Sequence, residues 1–442
     1  MNAILHPARA VTLAFLAVIM IGTLLLMLPM ARAGGSNAPL MVAFFTSVSA
    51  VCVTGMVTVD TGTYWSTFGQ ATIMGLFQLG GFGMMTAATL LGLMVNRSPG
   101  LRTRLLTQTE TRSLALGDVR SVAKVVLAMT LLCQCIIALA LMLRLRLGHG
   151  LDWREAAWSG LFHAVSAFNN AGFSIHADSL MRYAGDAFIL LPILMGFILG
   201  GIGFPVLHDL RQRLNDPRHW SLHTKLTLVG TLVLLLGGFC AVLLFEWDNA
   251  GTLGPMGVGE KLLNSFFISA AARTSGFNTI DIAALTQETW ALHYLLMFIG
   301  GGSASTAGGV KVATVAVLFL LVLAEAKGHS DTEAFGRRVG ASAQRQAITV
   351  LVIASVLVVL GTLALLRMTD FPTDRIIFEV IAAFSTAGLS TGITAQLPVA
   401  GQLVLLLLMF FGRVGTITLA TSLVMGERRM PYRFPEEHPI VG

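Results

Sequence analysis

A chain of 442 residues that is 55% hydrophobic and only 12% charged, with a mean hydropathy of +0.77, cannot keep most of its surface in water; composition excludes an ordinary soluble globule and implies repeated membrane crossings. The formal net charge of +6 and isoelectric point near 9.5 do not indicate nucleic-acid binding, because the cations are divided among short loops instead of forming one patch with interleaved aromatics. The four cysteines, Cys52, Cys133, Cys135 and Cys240, lie in apolar stretches with neither a metal spacing nor an obvious disulfide pair, and read as inert buried thiols.

In chain order, uncharged stretches long enough to cross a hydrocarbon core of about 30 Å as helices fall near 10–30, 67–95, 125–143, 187–207, 226–245, 289–324, 346–366 and 399–425. They predict an all-α polytopic membrane protein with eight spans. Only Arg9 precedes the first stretch and no small-residue cleavage pattern follows it, so it reads as a retained helix and not a removable signal. Each connection from an odd span to the next even one holds a further apolar piece, at 38–51, 155–168, 259–272 and 373–385. These are too short to cross and read as re-entrant helices.

The loops after the second, fourth and sixth spans carry Arg97, Arg102, Arg104, Arg112 and Arg120, then Arg211, Arg213, Arg218 and Lys225, then Lys327, Arg337, Arg338 and Arg345. The positive-inside rule makes these loops and both termini cytoplasmic. Asp60, Asp152, Asp178, Asp248, Asp281 and Asp370 lie on the opposite side.

Each short piece runs into a glycine segment: Val53-Thr54-Gly55, Asn170-Ala171-Gly172, Thr274-Ser275-Gly276 and Thr386-Ala387-Gly388, whose glycines are 117, 104 and 112 residues apart. One unit of helix, short re-entrant helix, loop and helix is thus used four times: residues 1–96, 97–211, 212–330, and 331–442 with a cytoplasmic C-terminal tail. Irregular backbone survives at membrane depth only where it lines water or is buried in protein, so the four loops are expected to meet around one central pore. Glycine reaches backbone conformations a Cβ forbids, which suits a filter built of carbonyl oxygens that replace an ion's hydration shell. The short helices would point their partly negative carbonyl ends at the same axis. The alternative is that the four glycines are ordinary turn glycines.

The span after each segment carries a second glycine mark, Gly80-Gly81-Phe82-Gly83, Gly200-Gly201-Ile202-Gly203, Gly300-Gly301-Gly302 and Gly412-Arg413-Val414-Gly415, beginning 25, 28, 24 and 24 residues after the filter glycine. The first two read as close-packing glycines. In the third, the run Gly300, Gly301, Gly302, Ser303, Ala304, Ser305, Thr306, Ala307, Gly308, Gly309, Val310, Lys311 interrupts a hydrophobic stretch nearly twice the length one span needs, and is expected to break the helix and act as a gate below the filter. Arg413 places a charge inside the fourth, at a cost of about 2.5–3.5 kcal/mol on insertion scales. It either faces the permeation path or pairs with Glu379 or Asp374.

These residues together resemble the superfamily of Trk, Ktr and HKT potassium transporters, over about residues 10–425. The marks are the four glycine segments with Asn169, Phe173, Arg273, Phe277, Ser385 and Leu389 beside them, the small-residue run 301–311, and the Gly-Arg-x-Gly at 412–415. Eight spans and a short N-terminus are more similar to the Ktr branch than to Trk, whose members usually have two further N-terminal helices. The resemblance implies potassium preference, since glycine at the first filter position, Gly55, goes with potassium and serine with sodium. It implies that residues 300–311 are the gate with Arg413 near it, and a homodimer on a cytosolic nucleotide-binding ring. The chain has no Gly-x-Gly-x-x-Gly after a strand and no Walker sequence, so nucleotide control would come from a separate subunit. Ala304 departs from the proline that relatives often have in the gate loop, which leaves the loop's resting conformation open.

The expected function is potassium uptake across the cell (inner) membrane, K+ being the transported ion, with a sodium-permeable relative as the alternative. An intramembrane enzyme would need a cluster of His, Asp, Glu or Cys at membrane depth. His163 stands without a second metal ligand, and no buried carboxylate suited to proton coupling is evident within the spans.

Overall fold

The computed structural model describes residues 7–95 and 119–415. The loop with Arg97, Arg102, Arg104 and Arg112, the end of the last predicted span and the predicted cytoplasmic tail lie outside the described residues.

The described chain is mostly helical. Helices α1 (Pro7–Leu26), α2 (Leu40–Val51) and α3 (Thr67–Val95) come first, then α4 (Val119–His149), α5 (Trp153–Phe168), α6 (Ala187–Ile202) and α7 (Phe204–Arg213). They are followed by α8 (Leu222–Glu246), α9 (Val258–Ala272), α10 (Gln287–Phe298), α11 (Val312–Ala326), α12 (Ala341–Met368), α13 (Thr373–Phe384) and α14 (Val399–Phe410). A π-helical turn, Phe411–Gly415, continues α14. Between α11 and α12 a small antiparallel hairpin pairs β1 (Glu333–Ala334) with β2 (Arg337–Arg338), an element not expected from the sequence.

The four short pieces are helices α2, α5, α9 and α13. Each begins where its backbone is pre-set or capped: proline at the N-cap of α2 and α13, the Asp152 carboxylate accepting from the Arg154 N–H at α5, and the Glu260 carboxylate accepting from the Gly257 N–H at α9. They form the centre of the molecule. In α2 every residue from Phe45 to Val51 is buried, and α13 buries every residue from Phe378 to Phe384. The long helices show the reverse. Only 28%, 22% and 17% of the most apolar windows of α4, α8 and α12 are buried, and Leu147, Phe188 and Leu244 expose 78%, 71% and 75% of their surface. Apolar surface on this scale needs a hydrocarbon environment or a partner.

Three described helices are both long and apolar enough to cross a membrane: Ala123–His149, Leu222–Glu246 and Ala341–Met368, with mean hydropathies of 2.6, 2.6 and 2.8. The pair α6 and α7 would be a fourth, but it is bent by 97°. These are fewer than the eight spans expected: the second stretch, α3, is not among them, the sixth is cut into α10 and α11, and the described parts of the first and last are shorter apolar helices. The stretch 187–207 is likewise not one straight span. It turns at Gly203, whose φ of 101° is open mainly to glycine, and a Cβ there would stand 2.5 Å from the Ser303 carbonyl oxygen.

The reading of the cysteines as buried holds for Cys52 alone. Cys133 is half-buried, and Cys135 and Cys240 are exposed, because an apolar residue on a peripheral helix has no protein to pack against on its outer side. Each short helix packs on its neighbours in sequence: α2 on α1 and α3, α5 on α4 and α6, α9 on α8 and α10, α13 on α12 and α14. Contacts between successive groups run α3 to α5, α6 to α9, α10 to α13, and back from α14 to α2. The arrangement is closed, with the four short helices inside it.

Candidate functional site

The C-termini of α2, α5 and α13 end the same way. The N–H groups of Val53, Asn170 and Thr386 donate to Ala50, Ala167 and Ala383 at 3.0, 2.9 and 3.1 Å, and those of Thr54, Ala171 and Ala387 reach back to Ser49, Ser166 and Ala382 at 2.7, 2.8 and 2.8 Å. This is the Schellman arrangement, which ordinarily has glycine at its left-handed position. Here that position is held by Val53, Asn170 and Thr386, at φ of 57°, 57° and 49°. A β-branched residue there is strained, and such strain persists only where surrounding structure over-determines it. Nothing in the sequence marks Val53 and Thr386 for this conformation, whereas asparagine, as at Asn170, takes it more readily than other residues with a side chain. The third segment differs: Thr274 does not have positive φ, and the Ser275 N–H donates to Ala271 one residue closer.

Two residues on, Gly55, Gly172, Gly276 and Gly388 all have positive φ, at 86°, 67°, 73° and 81°. Their neighbours run in a cycle. A Cβ on Gly55 would meet the Ala171 carbonyl oxygen, one on Gly172 would lie 2.7 Å from the Ser275 oxygen, one on Gly276 3.0 Å from the Ala387 oxygen, and one on Gly388 would meet the Thr54 oxygen. The carbonyls that precede the four glycines are thus brought together from positions more than a hundred residues apart. No acidic side chain stands in the four segments. The hydroxyls of Thr54 and Thr386 are buried with no hydrogen-bond partner among the described residues. Serine hydroxyls on the short helices hold the first two segments in place: Ser49 Oγ donates to the Met56 carbonyl at 2.7 Å and Ser166 Oγ to the Phe173 carbonyl at 2.8 Å.

The second glycine marks meet the ends of the short helices. Added Cβ atoms on Gly80, Gly200 and Gly412 would collide with the terminal carbonyls of Val51, Phe168 and Phe384, so only glycine permits the approach. Gly300 departs from this pattern, and its carbonyl accepts from the Arg273 guanidinium at 3.1 Å. Arg273 is buried at the end of α9.

Between α10 and α11 the backbone leaves the helix as expected. Gly300 N donates to Val310 O at 2.9 Å and Val310 N to Phe298 O at 3.1 Å, closing the base of a loop whose body lies against the other segments. Gly302 N donates to Gly201 O at 2.7 Å, and Ser305 Oγ to Gly302 O at 2.7 Å. Thr306 is its anchor. Its N–H donates to Gly200 O at 3.1 Å, its hydroxyl to Phe168 O at 3.2 Å, and the Asn170 side-chain amide donates to that hydroxyl at 2.8 Å. A Cβ on Gly308 would stand 2.5 Å from the Ser385 carbonyl oxygen, so the loop reaches from the second glycine segment to the fourth. Phe204 N, just past the bend, donates to Ala304 O at 3.3 Å. Lys311 Nζ donates to the carbonyls of Ala307 and Gly308 at 2.5 and 3.2 Å, while Ala307 N is held by Ser305 Oγ at 3.1 Å and Gly309 takes φ of 67°.

Arg413 is 1% exposed and donates to the Thr306 carbonyl. Among the described residues no ion pair joins it to either acid proposed as its partner. Glu379 is occupied by Ser390, Thr391 and Thr394, and Asp374 accepts from the Arg375 N–H. His163 stacks on His176 with ring centres 4.9 Å apart, but no group of three or more potential metal ligands exists among the described residues. Two carboxylates are fully buried: Glu246, one residue past the fifth predicted span, and Glu379, inside the fourth short piece, where the sequence suggests it only as a partner for Arg413.

The profile of the TrkH cation transport proteins matches residues 3–429. Ktr system potassium uptake protein B of Bacillus subtilis is 39% identical over 438 residues, covering 99% of this chain and 97% of that protein. The potassium/sodium uptake protein NtpJ of Enterococcus hirae is 34% identical over 444 residues, covering 99% and 98%. The crystal structure of the potassium transporter TrkH from Vibrio parahaemolyticus superposes with a TM-score of 0.70 at 20% identity, covering 92% of this chain and 84% of that one.

Proposed function

Since the chain belongs to the TrkH family of cation transport proteins, and is therefore a multi-pass membrane transporter and not an enzyme, we propose that it takes up potassium through a pore enclosed by its four glycine segments. The observation that carries this reading is the cycle of four carbonyls, from Thr54, Ala171, Ser275 and Ala387, each beside the preceding segment's glycine. Such carbonyls replace hydration water around a desolvated monovalent cation without a fixed negative charge. Names of relatives that include potassium uptake support the choice of ion. The potassium/sodium uptake relative supports a second reading, in which sodium permeates as well or is coupled to uptake.

In this proposal the four closed helix groups are four repeats, giving eight crossings once the broken pair α10 and α11 and the bent pair α6 and α7 are each counted as one. The filter residues are Val53, Thr54, Gly55, Asn170, Ala171, Gly172, Thr274, Ser275, Gly276, Thr386, Ala387 and Gly388, and residues 300–311 with Arg413 form the gate. Basic loops face the cytoplasm, as the positive-inside rule requires, so inward potassium flux follows the membrane potential, worth about 2.3 kcal/mol per charge for each 100 mV. A homodimer on a separate cytosolic nucleotide-binding ring completes the proposal and rests on the family likeness.

Rubidium or potassium uptake into liposomes containing the purified protein, with sodium as competitor, tests the reading. Potassium-selective flux is the expected result, equal sodium flux moves the chain to the second reading, and no cation flux rejects both. Arg413→Ala is expected to raise flux several-fold, because it deletes a charge-assisted hydrogen bond to the Thr306 carbonyl worth about 1.5–3 kcal/mol and removes a cation from beside the path. Unchanged flux from correctly folded Arg413→Ala protein counts against Arg413 as part of the gate.

A further inference from the structure

The helix α5 residue nine positions before Gly172 is His163, and the residue two positions after that glycine is Ser174; the same offsets around Gly388 give Glu379 on α13 and Ser390. In both places the two side chains bond. His163 Nε2 lies 2.9 Å from Ser174 Oγ, and Ser390 Oγ donates to Glu379 Oε1 at 2.7 Å. The histidine tautomer follows from its other nitrogen: Nδ1 faces the Ser159 carbonyl oxygen at 2.8 Å, so it donates and leaves Nε2 to accept from Ser174. Each serine oxygen in turn accepts from the backbone N–H two residues on, His176 to Ser174 and Gly392 to Ser390, both at 3.0 Å. Glu379 also accepts from the Thr391 N–H at 2.8 Å and the Thr394 hydroxyl at 2.6 Å.

The first and third segments have no such device. Thr46 with Val57 and Phe267 with Asn278 occupy the same offsets, and neither pair can join its side chains by a hydrogen bond. The clamp therefore occurs in alternate members of the cycle, on segments two and four, whose Asn170 and Thr386 flank the loop 300–311.

Resting on the reading of the four segments as a filter, we propose that His163 and Glu379 are positioning residues for ion selectivity: each fixes the strand just beyond its glycine from behind, and so holds the carbonyls of Ala171 and Ala387 at the spacing that favours potassium. They do not touch the ion. Both act by accepting a hydrogen bond from the serine hydroxyl, so the hydroxyl is as necessary as its partner.

The test measures rubidium uptake with sodium competition, per folded protein, for Ser174→Ala, Ser390→Ala and Glu379→Gln, with Ser174→Thr and Ser390→Thr as variants that keep the hydroxyl. Ser174→Ala and Ser390→Ala are each expected to lower rubidium-over-sodium discrimination about tenfold, on the scale of one lost hydrogen bond to a charged or buried acceptor; Glu379→Gln, whose amide oxygen still accepts from Ser390, is expected to lower it less, and the threonine variants to retain it. If the alanine variants are folded and discriminate as the wild type does, the proposal fails while the filter reading stands. If they lower folded yield or total flux but leave the ratio unchanged, the clamps are structural and the proposal also fails. Wild-type protein that itself does not discriminate would move the chain to the sodium-permeable reading and sink this proposal, since there would be no selectivity for the clamps to hold. Should Glu379→Gln fail to fold, the serine pair decides the matter alone.

Discussion

Gly55→Ser is expected to reduce discrimination for potassium over sodium by roughly tenfold or more, equivalent to about 1.4 kcal/mol, while transport itself persists. Gly55 has φ of 86°, a region that costs a residue with a side chain about 1–3 kcal/mol. An added Cβ would also meet the Ala171 carbonyl oxygen and lie 3.0 Å from the Gly172 Cα. Both stresses are relieved by moving the same atoms, the peptide after Thr54 and the Ala171 carbonyl, which belong to the ring. The ring then loses its spacing without closing. Gly34→Ser is the matched control, because no atom lies within 4 Å of a Cβ added there. Competition by sodium for rubidium uptake measures the effect, and a Gly55→Ser protein as selective as the wild type would show that the first segment does not coordinate ions.

Deleting residues 303–307 is expected to raise basal flux about tenfold or more. The segment includes Thr306, whose backbone and side chain hold the loop to Gly200, Phe168, Asn170 and Arg413. Each such bond contributes a net ~1 kcal/mol, so losing several shifts a closed-to-open equilibrium by one or more powers of ten, at about 1.4 kcal/mol for each. Thr306→Val is the milder version: it keeps the volume and the backbone bonds, removes the hydroxyl between Phe168 and Asn170, and is expected to raise flux less than the deletion does. Flux unaltered in both, at normal folded yield, removes the loop as the gate.

The glycine segments illustrate how far local patterns reach. Short apolar pieces before them and a small-residue run after Phe298 follow from lengths and glycine placement, and α2, α5, α9, α13 and the break between α10 and α11 stand where these patterns put them. Left-handed Val53 and Thr386 were not legible, since β-branched residues ordinarily avoid that region. Arg413 was legible as a buried charge but its bond to Thr306 was not, because the acceptor is a backbone carbonyl 107 residues away, and every residue type offers one.

The sequence by itself determined that this protein lives in a membrane, which pieces are too short to cross it, and that four glycines recur in equivalent places, because hydrocarbon thickness and backbone sterics act on stretches of contiguous residues. Only the tertiary structure decided which helix faces meet protein and which are left exposed, that Cys135 and Cys240 point outward, that α6 bends at Gly203, and that His163 and Glu379 hold Ser174 and Ser390. The reason is that in lipid the inner and outer faces of a helix are equally apolar, so hydropathy carries no inside–outside contrast, and hydrogen bonds at depth depend on which segments the closed arrangement brings together.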